Sequence, residues 1–119
     1  MSLQFKASIT KIGELANDSL EDDMMILFNE SAPEDVVDYC FIHNQGAERG
    51  TLTTESTLLI GERDYIVTSI GKMATKNLNE LGHVTIKFDG RMTPELPGMV
   101  HVLGKRPTTI SINDAIVFG

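Results

Sequence analysis

Three things are scarce in this sequence, and each scarcity removes a class of function. Cysteine occurs once, at position 40. No disulfide can close within the chain, and no thiolate-based zinc site can form from it. Basic residues are outnumbered, with 10 Lys and Arg against 17 Asp and Glu for a net charge of −7. A nucleic-acid surface neutralises phosphates with clustered Lys and Arg, and no such cluster is present. The same charge disfavours an anionic membrane surface and suits a protein partner with a positive docking face. Long apolar runs are also missing, none approaching the roughly 20 residues of a membrane span. The opening MSLQFKASIT has no charged segment leading into an apolar one, so no secretory leader is read there and the expected location is the cytoplasm. Two phosphate and nucleophile motifs are absent as well. IGERDYIVTSIGK spaces its glycines wrongly for a phosphate loop, and no G-x-S-x-G elbow occurs.

What is there is mostly strand. QFKASITKI (4–12) alternates apolar Phe5, Ala7 and Ile9 with polar neighbours, the pattern of a half-buried strand. MMILF (24–28) is continuously apolar, as for a strand covered on both faces or inside a barrel. STLLI (56–60) and YIVTSI (65–70) flank the short polar GERD and predict a hairpin. HVTIKF (83–88), MVHVL (99–103) and AIVF (115–118) complete about seven strands. Two segments predict short helices. SAPEDVVDY offers Ser31 as a cap with Glu34 three residues on, and TKNLNELG offers Thr75 as a cap and Gly82 as the stop. The acidic run LEDDM (20–24) is read as a solvated loop.

No repeat of fixed period is visible. The expectation is a single domain over 1–119, mostly β, folded as a closed or nearly closed barrel or sandwich of about seven strands with one or two short helices. Closure would remove the exposed strand edges that invite pairing with other chains.

The segment DYCFIHNQGAERG (38–50) carries the lone cysteine and the first of three histidines. As a strand it places Phe41 and His43 on one face, Cys40 and Ile42 on the other. Cys40 in this apolar setting reads as a small buried hydrophobe. His43 has two readings, a packed ring at a strand end or a nucleophile at a rim with one nitrogen facing out. For the second, the chemistry is favourable. An imidazole of ordinary pKa is largely neutral near pH 7 and can accept a phosphoryl group without an auxiliary base. Its other nitrogen needs an acceptor to fix the tautomer. Donors for the new phosphate would come from Asn44, Gln45 and the N–H groups around Gly46, none of which adds full charge. Gly46 would also let a partner's backbone approach closely. Arg49 reads as a solvated arginine. His83 and His101 begin or interrupt strands among branched aliphatics, with His101 favouring burial. A three-histidine metal site is the third reading, although no two histidines stand at ligand spacing and no metal is assigned.

Three segments taken in order, CFIHNQG (40–46), NLNELGHVTIKFDG (77–90) and LPGMVHVLG (96–104), together with ITKIG, MMILFNESAP and DAIVFG, resemble the glucitol/sorbitol-specific enzyme IIA component family of the bacterial phosphoenolpyruvate-dependent sugar phosphotransferase system. The resemblance runs over nearly the whole chain. It implies a phosphoryl-transferring protein that works through a phosphohistidine and needs no cofactor. The group would come from HPr and pass to the sugar-specific IIB domain of the membrane permease. The position matching the phosphorylated histidine is His43. By analogy with other IIA classes, His83 is the implied hydrogen-bond partner, ahead of His101. The AERG run after Gly46 departs from the Gly-Glu pairing associated with the family, so no orienting role is carried over to Glu48. The alternative is a non-catalytic small barrel that binds a ligand or regulator. A homodimer by strand exchange stays open.

Overall fold

The computed structural model describes residues 3–119; Met1 and Ser2, the start of the stretch read for a leader, lie outside them. Eight strands close into one barrel: β1 (Phe5–Ile12), β2 (Met24–Asn29), β3 (Phe41–His43), β4 (Thr57–Ile60), β5 (Arg63–Ile70), β6 (Val84–Lys87), β7 (Met99–Leu103) and β8 (Ala115–Phe118). Around the barrel the order is β1-β3-β2-β6-β7-β5-β4-β8. The seven strands expected from alternation are all present, and the eighth is the three-residue β3 that carries His43. Side chains pointing inward form one core, with Phe5, Ile9, Leu27, Phe41, Leu58, Ile86, Ile116 and Phe118 among its members. The hairpin read between residues 56 and 70 is β4–β5, turning at Gly61 with φ +60°.

Two neighbouring pairs, β2–β3 and β6–β7, run parallel, and the remaining pairs are antiparallel. A parallel pair needs a crossover, which a tight turn cannot supply. Segments 30–40 and 88–98 are those crossovers, and this overturns one expected helix. Over 31–39 the chain makes successive turns and only a 3₁₀ turn at Val37–Tyr39. Ser31 does not cap it. Its N–H and hydroxyl bond the Asn29 carboxamide oxygen, an Asx-type turn that takes the chain out of the strand. Val36 and Val37 then pack on Phe28, Cys40 and Ile42, a second apolar cluster on the outside of the barrel. MMILF is thus covered on both faces. Cys40 sits in this layer, its thiol donating to the Val36 carbonyl and burial pushing its pKa up to about 11. That is an inert packing residue.

The second expected helix is present as α2 (Ala74–Leu81), stopped by Gly82 at φ +61°. A further helix, α1 (Ala16–Glu21), occupies part of the stretch read as a loop. Its polar sequence ANDSLE shows little periodicity, and it holds because Ala16 and Leu20 reach the core.

The topology repeats although the sequence does not. Exchanging β1–β4 with β5–β8 leaves the circular strand order unchanged. The registers agree: Leu27 pairs with Phe41 as Ile86 pairs with Val100. A register shift between Ile9 and Lys11 is matched by one between Val67 and Ser69. In this correspondence His43 answers to Val102 and Gly82 to Asp23, so the histidine stands in one half only.

Candidate functional site

His43 is the last residue of β3, opposite Ile9 of β1 and Asn29 of β2. Beyond it the chain lies along β1 without a regular ladder. The N–H groups of Asn44, Gly46 and Gly50 donate to the carbonyls of Ser8, Lys6 and Gln4 at 3.2, 2.7 and 2.9 Å. A Cβ at position 46 would stand 2.7 Å from the Lys6 carbonyl oxygen. Glycine is therefore required by the barrel's own backbone, which corrects the expectation that Gly46 serves a visiting one. Its N–H, bonded to Lys6, is not free for phosphate.

The His43 ring is 0 % exposed and meets Phe5 edge-on at 5.3 Å between centroids. This overturns the expectation of one nitrogen facing out. Nε2 lies 2.8 Å from the Gly82 carbonyl oxygen, and the Gln45 backbone N–H donates to Nδ1 at 3.1 Å. A carbonyl can only accept and an amide N–H can only donate, so both assignments are forced. The proton is on Nε2, the lone pair is on Nδ1, and the ring is neutral. Burial holds its pKa below the usual 6.5, outweighing the Gly82 hydrogen bond and the Glu30 charge, which pull the other way. A neutral imidazole with one defined lone pair is the form a nucleophile needs.

Gly82 touches the ring directly. A Cβ built there would fall 2.4 Å from Cε1 and 2.7 Å from Nε2 of His43. The residue read as a helix stop is thus also one wall of the histidine site and the acceptor that sets its tautomer.

Gln45 was expected to donate to phosphate, and here its carboxamide is engaged within the protein. Its Nε2 donates to the carbonyls of Leu78 and Asn79 at 3.0 and 2.9 Å, and its Oε1 accepts from Asn29 Nδ2 at 2.8 Å. Both carbonyls lie at the end of α2, where the Leu78 carbonyl also accepts from the Gly82 N–H at 2.9 Å. Gln45 fastens the loop after His43 to the end of α2. Asn79 adds a bond from Nδ2 to the Gly50 carbonyl at 3.0 Å. Its Oδ1 is buried with no partner. Leaving such a group unpaired costs about 1–3 kcal/mol. Asn44 is exposed, and its Oδ1 accepts from the Ser8 N–H at 2.9 Å. Only its NH₂ end is left to donate. The Arg49 guanidinium, also exposed, donates to the Gly46 and Glu48 carbonyls. A groove of about 280 Å³ runs between Asn29–Ser31 and Asn44–Arg49, with His43 in its wall.

The other histidines lie elsewhere. His83 is not the partner of His43, because both ring nitrogens of His43 are occupied by other groups. It stacks on Phe28 at 4.4 Å and 12° and lines an apolar groove with Ile26, Val36, Tyr39 and Cys40. The strand alternation that turns His43 toward Phe5 sends residue 83 outward. His101 is buried on the outer side of β7 beneath the second crossover, which it holds. Its Nδ1 donates to Asp89 at 2.8 Å, and its Nε2 accepts from the Glu95 N–H at 3.1 Å. Among the described residues no three His, Cys, Asp or Glu side chains gather as a metal site would need. The residues that sequence reasoning missed are Gly82, Asn29 and Asn79. Only the left-handed stop at Gly82 leaves a trace in the sequence, and that trace says nothing of His43.

Burial of these groups gives a pH dependence with a definite sign. Burial lowers the pKa of both His43 and His83. Below about pH 6.5 the unfolded chain takes up protons that the folded chain refuses, so stability falls as pH falls. Asp89 acts in the same direction at lower pH. Burial raises its pKa, but hydrogen bonds from His101 and the Arg91 N–H, with the Lys87 charge, bring it below the usual value. Its contribution is lost as pH drops through that lowered pKa. Urea melts at pH 7.5 and about pH 5.5 should differ through His43 and His83, with the acid sample the less stable. Equal midpoints would contradict neutral burial.

The comparisons with known proteins agree with one another. The family described as "PTS system glucitol/sorbitol-specific IIA component" matches residues 4–117. The chain is 43 % identical over 118 residues to the glucitol/sorbitol-specific EIIA components of Shigella flexneri and Escherichia coli K12, covering 99 % of this chain and 96 % of each relative. The crystal structure of a PTS IIA component from Enterococcus faecalis V583 superposes with a TM-score of 0.79 at 28 % identity, over 93 % of this chain and 96 % of that one.

Proposed function

This chain belongs to the glucitol/sorbitol-specific IIA component family of the sugar phosphotransferase system, and from that premise we propose that it is a phosphocarrier whose acceptor is His43. It takes a phosphoryl group from the phosphohistidine of HPr and hands it to the IIB domain of the sugar permease in the cytoplasm. The observation that carries the reading is the ring itself, a neutral imidazole held between the Gly82 carbonyl and the Gln45 N–H with its proton fixed on one nitrogen. Transfer between two imidazoles is chiefly positioning and electrostatics, so the protein needs no metal to perform it.

The closed ring then has a use. A phosphohistidine that stands in water hydrolyses, and a carrier loses its cargo that way. Reaching the ring requires the loop 44–50, bonded to α2 through Gln45, to move aside. The donors that remain at the groove are the Asn44 NH₂ and the Arg49 guanidinium, and Arg49 is the one basic side chain lining it among the described residues. One charge is a restraint that a carrier needs, since a site that bound the phosphorylated form too well would not release the group. Negative charge over most of the chain favours a donor and an acceptor with basic faces. Nothing favours the alternative of a non-catalytic binding module.

The test is phosphorylation of the intact chain by phosphoenolpyruvate, enzyme I and HPr. Intact mass should rise by one phosphoryl group that is labile to acid and stable to base, and peptide mapping should place it on His43. The His101→Ala variant, if folded, should still take it up. A phosphate mapped to His83 or His101, or none on folded protein, would refute the assignment.

A further inference from the structure

We propose that the apolar groove beside the His43 site, walled by Phe28, Val36, Tyr39 and His83, seats an apolar side chain of the phosphoryl donor, while the carboxylates of the first crossover meet basic residues around that side chain. The proposal rests on the phosphocarrier reading and adds the surface on which the donor docks.

Two grooves flank the end of β2. One has His43 in its wall and is lined mainly by polar side chains. The other, of about 260 Å³, is lined by Ile26, Phe28, Val36, Tyr39, Cys40 and His83 and lies against the outer apolar layer of the barrel. A single residue step separates them along both segments that divide them. Phe28 precedes Asn29, the register partner of His43, and His83 follows Gly82, whose backbone adjoins the His43 ring. Alternation along β2 turns Phe28 outward, where the His83 ring stacks on it at 4.4 Å and 12°. Tyr39 lines the same groove and is 49 % exposed. An apolar hollow left open beside a reacting group is where the core of a protein contact belongs.

Charge states what kind of partner fits. From Ile12 to Glu48 the sequence holds ten of its 17 Asp and Glu and not one Lys or Arg. Glu30, Glu34, Asp35 and Asp38, on the crossover that walls the groove, are exposed, and none has an ion-pair partner among the described residues. Such a rim repels a free phosphorylated anion. It admits a phosphoryl group only on a protein that brings its own Lys and Arg. That condition falls on the donor, since the acceptor arrives without phosphate. Transfer needs the reacting atoms within about 3–3.5 Å, and a transient protein pair covers on the order of 1,000 Å². The donor therefore spreads from the ring onto one flank. The opposite flank is the loop 44–50, bonded to α2 through Gln45, and it has to move aside. A donor seated on the β2 flank leaves that loop free to do so.

The test uses the full chain and uptake from phosphorylated HPr, with KM and kcat as readouts. Asp35→Lys combined with Asp38→Lys should raise KM about tenfold, each reversed rim charge contributing a few-fold, and leave kcat within about twofold. Tyr39→Ala should raise KM roughly fivefold. All three side chains are exposed, and urea denaturation checks that the variants fold. The control is Glu62→Lys combined with Asp64→Lys, an equal change of charge on the β4–β5 hairpin, where β5 stands across the barrel from β3. It should leave KM within about twofold. In the ¹⁵N-labelled chain titrated with unphosphorylated HPr, amide shifts should concentrate in 26–39 and at His83. Unchanged KM in both groove variants overturns the proposal and leaves the carrier reading standing. So does an equal rise in the control, which would make net charge the cause, or a concentration of shifts in 44–50. Groove variants that take up the group normally and fail only in passing it to the IIB domain would give this surface to the acceptor, and also overturn the proposal. No uptake by the folded wild-type chain overturns the carrier reading itself.

Discussion

Replacing His43 by glutamine should abolish phosphoryl uptake while the barrel stays folded. His43 is the proposed nucleophile, and loss of such a group in other enzymes lowers rates about a thousandfold or more. Glutamine is the informative choice because the ring is fully buried. Alanine would leave a cavity beside Phe5 and strand both the Gly82 carbonyl and the Gln45 N–H, and the combined loss is about 2–5 kcal/mol. Glutamine fills most of the volume and retains one donor and one acceptor, so its cost should stay near 1–2 kcal/mol. Uptake is read by intact mass, folding by urea denaturation of both variants. A folded His43→Gln protein that still gains one phosphoryl group at the wild-type rate would end the account.

Gly82→Ala should damage stability and uptake together. Two effects add at this position. The backbone is left-handed at φ +61°, and an alanine there costs about 1–2 kcal/mol. The methyl would fall within 2.4 Å of the His43 ring, and overpacking of that kind costs about 1–3 kcal/mol. The sum is roughly 2–5 kcal/mol, with phosphoryl uptake reduced at least about tenfold because the ring must move off its hydrogen bonds. The fold supplies its own control. Asp23 occupies the corresponding place after α1 and has φ +59° without being glycine. In that half the counterpart of His43 is Val102, so no imidazole has to fit beneath it. A left-handed φ is therefore tolerated by a side chain in this barrel, and it is the histidine that demands glycine at 82. Asp23→Ala should cost about 1 kcal/mol or less, mainly an exposed ion pair with Arg106, and leave uptake unchanged. Equal losses in the two variants, with uptake intact in both, would mean that Gly82 acts only as a helix stop.

Much of this molecule is local in origin, and that part is legible from residues in order. Alternation of Phe5, Ala7 and Ile9 gives a strand whose inward face is already chosen, and the Gly61 turn gives its hairpin. Glycine at 82 ends a helix because no other residue adopts that backbone so cheaply. The resemblance over 40–46, 77–90 and 96–104 pointed to His43 and to the family.

The failures have one physical cause, which is that the deciding partner is distant in the chain. Segment 31–39 has the caps of a helix, but β2 and β3 must run parallel, and the crossover that joins them has to cover Phe28 and Ile42. Packing outweighs a propensity of a few tenths of a kcal/mol per residue. Gln45 and Gly46 look like phosphate donors until the end of α2 and the β1 backbone claim them. His83 stands one residue from Gly82, yet strand geometry turns its ring onto Phe28.

By itself the sequence determined a β-rich barrel or sandwich, an acidic balance of charge and an imidazole at the end of a short strand, because these follow from side-chain type and spacing of two. Only the tertiary structure decided that the ring is closed in, which nitrogen holds the proton and which neighbour must be glycine. Those depend on a carbonyl that arrives from 39 residues further along the chain, and no local pattern encodes where that carbonyl will point.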